Sequence, residues 1–103
     1  MKIQINYGDV EGSDALAARV TESVESAIGR FEDRVTRVEV HLRDDKQGRS
    51  GPDDNRCTME ARPAGEQPFV VEARHSDLYQ AVHDCAAKLK RATTRYFERK
   101  EEA

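Results

Sequence analysis

Between Lys88 and Lys100 the chain carries six basic residues, Lys88, Lys90, Arg91, Arg95, Arg99 and Lys100, against a single acid, Glu98. That segment is +5 in a protein whose total is −3, so the remainder sums to −8. Cations gathered in this way suit the holding of a polyanion. Phosphates are regularly spaced negative charges, Arg grips one through paired hydrogen bonds, and Lys acts as a point charge. On a helix each residue advances by about 100°, so with Leu89 at zero, Lys88, Arg91, Arg95 and Arg99 fall at roughly −100°, −160°, −120° and −80°. They share one ridge about 80° wide, with Tyr96 and Phe97 nearby as an aromatic edge and Lys90 on the opposite flank. The helix dipole favours basic residues near a C-terminus, but four of one sign on one ridge exceed that need. The strands offer no array of exposed stacking aromatics, so contact with the shape and backbone of folded RNA fits better than readout of its bases. An earlier helix adds a weaker complement. Arg19, Ser23, Ser26 and Arg30 follow one of its flanks, crowded by Glu22, Glu25 and Glu32.

Other chemistries lack a constellation. His75, His83 and Cys85, with Asp77 or Asp84, superficially resemble a metal or Cys/His site. However, Cys85 lies on the apolar stripe of the last helix while His83 points roughly 160° away, so they do not converge. Cys57 and Cys85 lack finger-like spacing and read as small buried thiols. Asp44, Asp45, Asp53 and Asp54 do not have EF-hand spacing, and Gly48 and Gly51 belong to a polar loop rather than a phosphate-binding strand-to-helix turn. The expectation is a protein with no catalytic site, no cofactor and no metal.

Several elements must position the ridge. Ile3, Ile5 and Tyr7 alternate with polar residues, the period of a half-buried strand. Ser13 and Asp14 then start a helix whose apolar positions Leu16, Val20, Val24, Ala27, Ile28 and Phe31 recur every three or four residues, to about Arg30 or Phe31. From Val35 the period returns to two, with Val38, Val40 and Leu42 inward and Arg37, Glu39 and His41 outward. A polar stretch from Asp44 to Asn55 reads as a long mobile loop. Cys57, Met59 and Ala61 form a third strand, Pro63-Ala64-Gly65-Glu66 turns the chain, and Phe69, Val71 and Ala73 face inward from a fourth. Finally Ser76 or Asp77 caps a long helix with apolar positions Leu78, Val82, Cys85, Ala86, Leu89, Ala92 and Tyr96, persisting to about Arg99. The order β-α-β-β-β-α predicts an α+β two-layer sandwich: a four-stranded sheet with two helices on one face, leaving the Arg37/Glu39/His41 face in water.

At 103 residues the chain fits one domain, 1–103. No segment approaches the roughly 20 apolar residues that cross a bilayer, and the start has no signal-peptide core, so the expected address is the cytoplasm.

The opening INYGDVEGSDAL, the Phe31-x-x-Arg34-Val35 junction, Asp77-Leu78-Tyr79-Gln80-Ala81-Val82 and Lys88-Leu89-x-Arg91-x-x-x-Arg95 together resemble the short ribosome hibernation-promoting factor and ribosome-associated inhibitor family, also called sigma-54 modulation proteins. The resemblance spans nearly the whole chain. It implies a bacterial stress or stationary-phase factor that binds the small ribosomal subunit and its rRNA in the channel of messenger and transfer RNA, blocks translation and in some members favours ribosome pairing. Lys88, Arg91, Arg95 and, more loosely, Arg99 match the family's RNA-facing positions, and no catalysis or small-molecule substrate goes with them. Arg19 and Arg30 are the candidates from the first helix. In isolation a monomer or weak dimer is expected. Departures are Ser23 and Ser26 where relatives often carry lysines, His83 in place of an acid, and the long 44–55 loop, and with the sequence ending at Ala103 the dimerising C-terminal domain of long members is expected to be absent. They motivate an alternative, a divergent paralogue serving as a protein-interaction module without ribosome binding.

Overall fold

Two periodicities written into the chain, near two in the strands and near 3.6 in the helices, are realised in a computed structural model that describes residues 1–44 and 55–102. The elements are β1 (Lys2–Asn6), α1 (Asp14–Ile28), a 3-10 helix (Gly29–Arg34), β2 (Val35–Asp44), β3 (Asn55–Pro63), β4 (Phe69–His75) and α2 (Leu78–Glu102). The sheet order is β1-β2-β3-β4. β1 and β2 are parallel, which requires the crossover that α1 supplies, and β2–β3 and β3–β4 are antiparallel neighbours. The fold is α+β, with order β-α-β-β-β-α and both helices on one face of an open sheet.

Local chemistry sets the element ends. The Ser13 hydroxyl accepts the Leu16 N–H at 3.1 Å to cap α1. Gly29, at φ 53°, ends α1 two or three residues earlier than the apolar spacing predicts. Phe31 stays buried because the chain continues as a 3-10 helix. For α2, the Asp77 carboxylate accepts the Tyr79 N–H at 2.9 Å.

One core lies between the layers. Val38, Val40 and Leu42 of β2, Cys57, Met59 and Ala61 of β3, Val20 and Val24 of α1, and Val82, Cys85 and Leu89 of α2 are wholly or almost wholly excluded from water. Val35 is buried as well, though its spacing of three from Val38 breaks the alternation. A bulge between Val35 and Arg37 leaves Thr36 outside the register, its hydroxyl bonded to the Arg62 carbonyl at 2.9 Å.

Two expectations need correction. The buried stripe of α2 continues through Thr93 and Phe97, not Ala92 and Tyr96, which are half-buried. Near its C-terminal end α2 meets the 3-10 helix, and Phe97 stacks on Phe31 with ring centroids 4.8 Å apart while Tyr96 stacks on Phe69 of β4 at 5.3 Å. Both rings are therefore packing groups rather than an aromatic edge of the ridge. Secondly, Asp44 and Asn55, read as loop ends, are the last paired residues of the β2–β3 ladder. The Asp44 N–H also donates to the Asp9 carboxylate at 2.9 Å, which holds that carboxyl below its usual range. The rest of the expected loop, 45–54, including Asp45, Asp53 and Asp54, lies outside the described residues.

Candidate nucleic-acid interface

The basic residues of α2 divide by what the chain does with them. The Lys88 ammonium donates to the Glu72 carbonyl of β4 at 2.8 Å, placing it over the outer edge of the sheet. Lysine at such an edge blunts it against pairing with another strand. Lys100 is held by Glu66 at 2.6 Å, an interaction that raises its pKa, and its ammonium lies over the Tyr96 ring. Lys88, whose partner is a neutral backbone carbonyl, keeps its charge, and four further cations of α2 have no ion pair among the described residues: Lys90, Arg91, Arg95 and Arg99. With Thr94, Glu98 and Glu102 they border a shallow trough along the exposed side of the helix.

Lys90, on the opposite flank from the arginine ridge, turns out to face α1. It lines a groove between the helices together with Arg19, Ser23, Ser26 and His83, floored by Ala27, Ala86 and Ala87. Small side chains open this groove, and its lower end passes Arg30 and Thr94. Arg19 lies over the Tyr79 ring at 5.4 Å. Arg30 lies over Phe31 at 4.5 Å and pairs with Glu98 at 3.6 Å, both members of that pair being more than half exposed. The structure thus gathers Arg91, Arg95 and Arg99 on one side of α2, joins Arg19 and Arg30 to them through Lys90 and Glu98, and sets Lys88 apart at the sheet edge. The signal for Lys90 was available in the spacing of His83, Ala87, Lys90 and Thr94, small or polar residues on one flank where α1 packs.

Chemically the arrangement presents fixed cations with exposed guanidinium groups, hydroxyls of Ser23, Ser26 and Thr94 as neutral donors, and no buried acid. Such a surface holds phosphate oxygens by charge-assisted hydrogen bonds. His83 is exposed in the groove, whereas Cys85 is buried with its sulfur 3.7 Å from the Val71 carbonyl. The His75 Nδ1 accepts the Asp77 N–H at 2.9 Å, in the turn before α2. Among the described residues no group of three or more His, Cys, Asp or Glu is placed to hold a metal ion. No helix among them is long and apolar enough to cross a membrane.

With this geometry in hand, comparison with known proteins is informative. A family model described as Sigma 54 modulation protein / S30EA ribosomal protein matches residues 3–101. No curated protein sequence matches. Among solved structures, a ribosomal subunit interface protein from Coxiella burnetii superposes with a TM-score of 0.77 at 17% identity, covering 95% of this chain and 99% of that one. The N-terminal domain of Thermus thermophilus Protein Y gives 0.74 at 22% identity, covering 93% and 99%. At these identities the two structures establish the shared fold.

Proposed function

The chain belongs to the Sigma 54 modulation protein / S30EA ribosomal protein family, and on that footing we propose that it is a non-enzymatic, cytoplasmic translational regulator that docks on small-subunit rRNA in the mRNA and tRNA channel and holds ribosomes idle under stress. The observation that carries this reading is the exposed row Arg91, Arg95 and Arg99, with Lys90 beside it, unpaired with acid among the described residues. Exposed guanidinium groups keep their charge and their hydrogen-bond donors for an outside anion. Arg19 and Arg30 extend the surface across the α1–α2 groove, and Lys88 serves at its margin.

The test is co-sedimentation of the protein with purified small subunits across a salt series. The wild type is expected to sediment with subunits at low salt and to dissociate as salt rises, with a slope set by the number of phosphates neutralised. Arg91→Glu with Arg95→Glu should lower the bound fraction by about tenfold or more at 100 mM salt. A double mutant that sediments as the wild type does would sink the proposal. Recovery of a protein partner from nuclease-treated lysate, with no rRNA recovered from untreated lysate, would favour a protein-interaction module instead.

A further inference from the structure

The two edges of the sheet are finished differently. At β4 the Lys88 ammonium sits on the outward carbonyl of Glu72, a charge that blunts that edge. At β1, among the described residues, no strand pairs with the outer side, so one side of its backbone has no ladder partner. The strand holds no proline and no inward-pointing charge, and its register with β2 is unbroken. Its underside is open as well. Ile3 and Ile5 pair with Val38 and Val40, which are wholly excluded from water, yet both isoleucines are only half-buried. Tyr7 and Val10, just beyond the strand, are half-buried too. Helical spacing sets Ala17 and Thr21, again half-buried, on the flank of α1 opposite the α2 groove. In a chain with 36% charged residues, the strip Ile3, Ile5, Tyr7, Val10, Ala17 and Thr21 carries no charge.

We propose that β1 pairs with β1 of a second copy of this chain, antiparallel about a two-fold axis at Gln4, joining the two sheets into one. The strand is self-complementary in this register. Residues directly opposite each other on antiparallel strands share a face of the sheet. Centring on Gln4 sets Ile3 opposite Ile5 on the inner face, and Lys2 opposite Asn6 and Gln4 opposite Gln4 on the outer face. It is the register that pairs all five residues of β1, and it sets no like charges against each other. Charge selects the direction as well. Lys2 opens the strand, and Asp9, whose carboxylate accepts the neutral Asp44 N–H, lies past its other end. An antiparallel pair brings the basic end of each strand toward the acidic end of the other, whereas a parallel, in-register pair sets Lys2 beside Lys2. A two-fold contact of this kind closes on itself, and the blunted β4 edge stops growth beyond two copies. Because α2 packs beneath β3 and β4, two copies joined at β1 keep both arginine rows exposed.

Sedimentation equilibrium of the full chain is the experiment. Between about 10 μM and about 1 mM the wild type should pass from monomer to dimer, the range of a short edge-strand interface. Gln4 is exposed, so its substitutions leave the monomer folded, which circular dichroism checks. Gln4→Glu sets two carboxylates face to face at the axis and should weaken the dimer about tenfold. Gln4→Cys should give a disulfide-linked dimer with copper phenanthroline, because opposed Cα atoms on antiparallel strands lie about 5 Å apart, within disulfide reach. The native thiols are buried and do not compete. Lys2→Cys and Asn6→Cys should not link, since four residues, about 14 Å, separate each from its own counterpart. A wild type that is monomeric at every concentration overturns the inference, even where a strand of another protein occupies β1. A dimer untouched by Gln4→Glu, or linked equally through all three cysteines, overturns it too. RNA binding is read in a separate experiment, so the proposed function and this pairing stand or fall independently.

Discussion

Cys57 and Cys85 approach each other from β3 and α2, both fully removed from water. Interaction with the Cys85 thiol, then burial, push the Cys57 thiol far above its ordinary range. The thiolate is the nucleophile, so a buried thiol held protonated is inert. The native protein at pH 8 is therefore expected to leave Cys57 unmodified by a disulfide reagent such as Ellman's for as long as it stays folded, and to release both thiols in denaturant. Fast reaction of Cys57 in the native state would contradict the packing. Unlike the two thiols, Thr93, fully buried with no hydrogen-bond partner for its hydroxyl among the described residues, has an environment that the sequence concealed. A threonine in a polar-rich helix reads as a surface residue, and only the shift of the buried face places it inside.

That shift is a property of the element. A helix of 25 residues such as α2 keeps a fixed stripe only if its neighbour lies along the whole length. Here the neighbour changes from the sheet to the 3-10 helix, and the stripe moves from the Leu89 line to Phe97. Phe97→Ala should cost about 3–5 kcal/mol, a large part of the stability of a domain this size, whereas Tyr96→Ala, with its ring half-exposed, should cost clearly less. Chemical denaturation of both variants measures the difference, and equal losses would place the stripe where simple periodicity puts it. The strands and both helices were legible because their alternation and caps are local signals. Ser13, Asp77 and the Ile3/Ile5 alternation each act within a few residues. The Val35 bulge, the early end of α1 at Gly29 and the pairing of Asp44 with Asn55 were not, because each is decided by a neighbouring element rather than by its own sequence.

For the whole molecule, the decisive quantity is where charge lies rather than its total of −3. The ridge was legible from helical spacing alone, but its working composition was not. Lys88 is bonded to the Glu72 backbone carbonyl and Lys100 to the Glu66 carboxylate, 16 and 34 positions away in the chain. Lys90 gains its place only once α1 is packed beside it. Glu98 sits amid the remaining cations, bordering the trough with Arg91, Arg95 and Arg99 and neutralising Arg30 across the groove. An exposed pair at 3.6 Å adds little to folding. The effect of Glu98 on an approaching polyanion is larger, because its one negative charge cancels one positive charge of the surface. Glu98→Gln should thus leave stability within about 0.5 kcal/mol of wild type. At about 0.1 M salt, where fields reach roughly 10 Å, it should tighten RNA binding severalfold and steepen the dependence of log K on log salt by close to one unit. Near 1 M salt, with a screening length of about 3 Å, the advantage should vanish. Fluorescence titrations at several salt concentrations read both quantities. Affinity that is unchanged or weakened by the substitution would mean that RNA does not approach along α2, and that the trough between Lys90 and Arg99 faces solvent in the bound state.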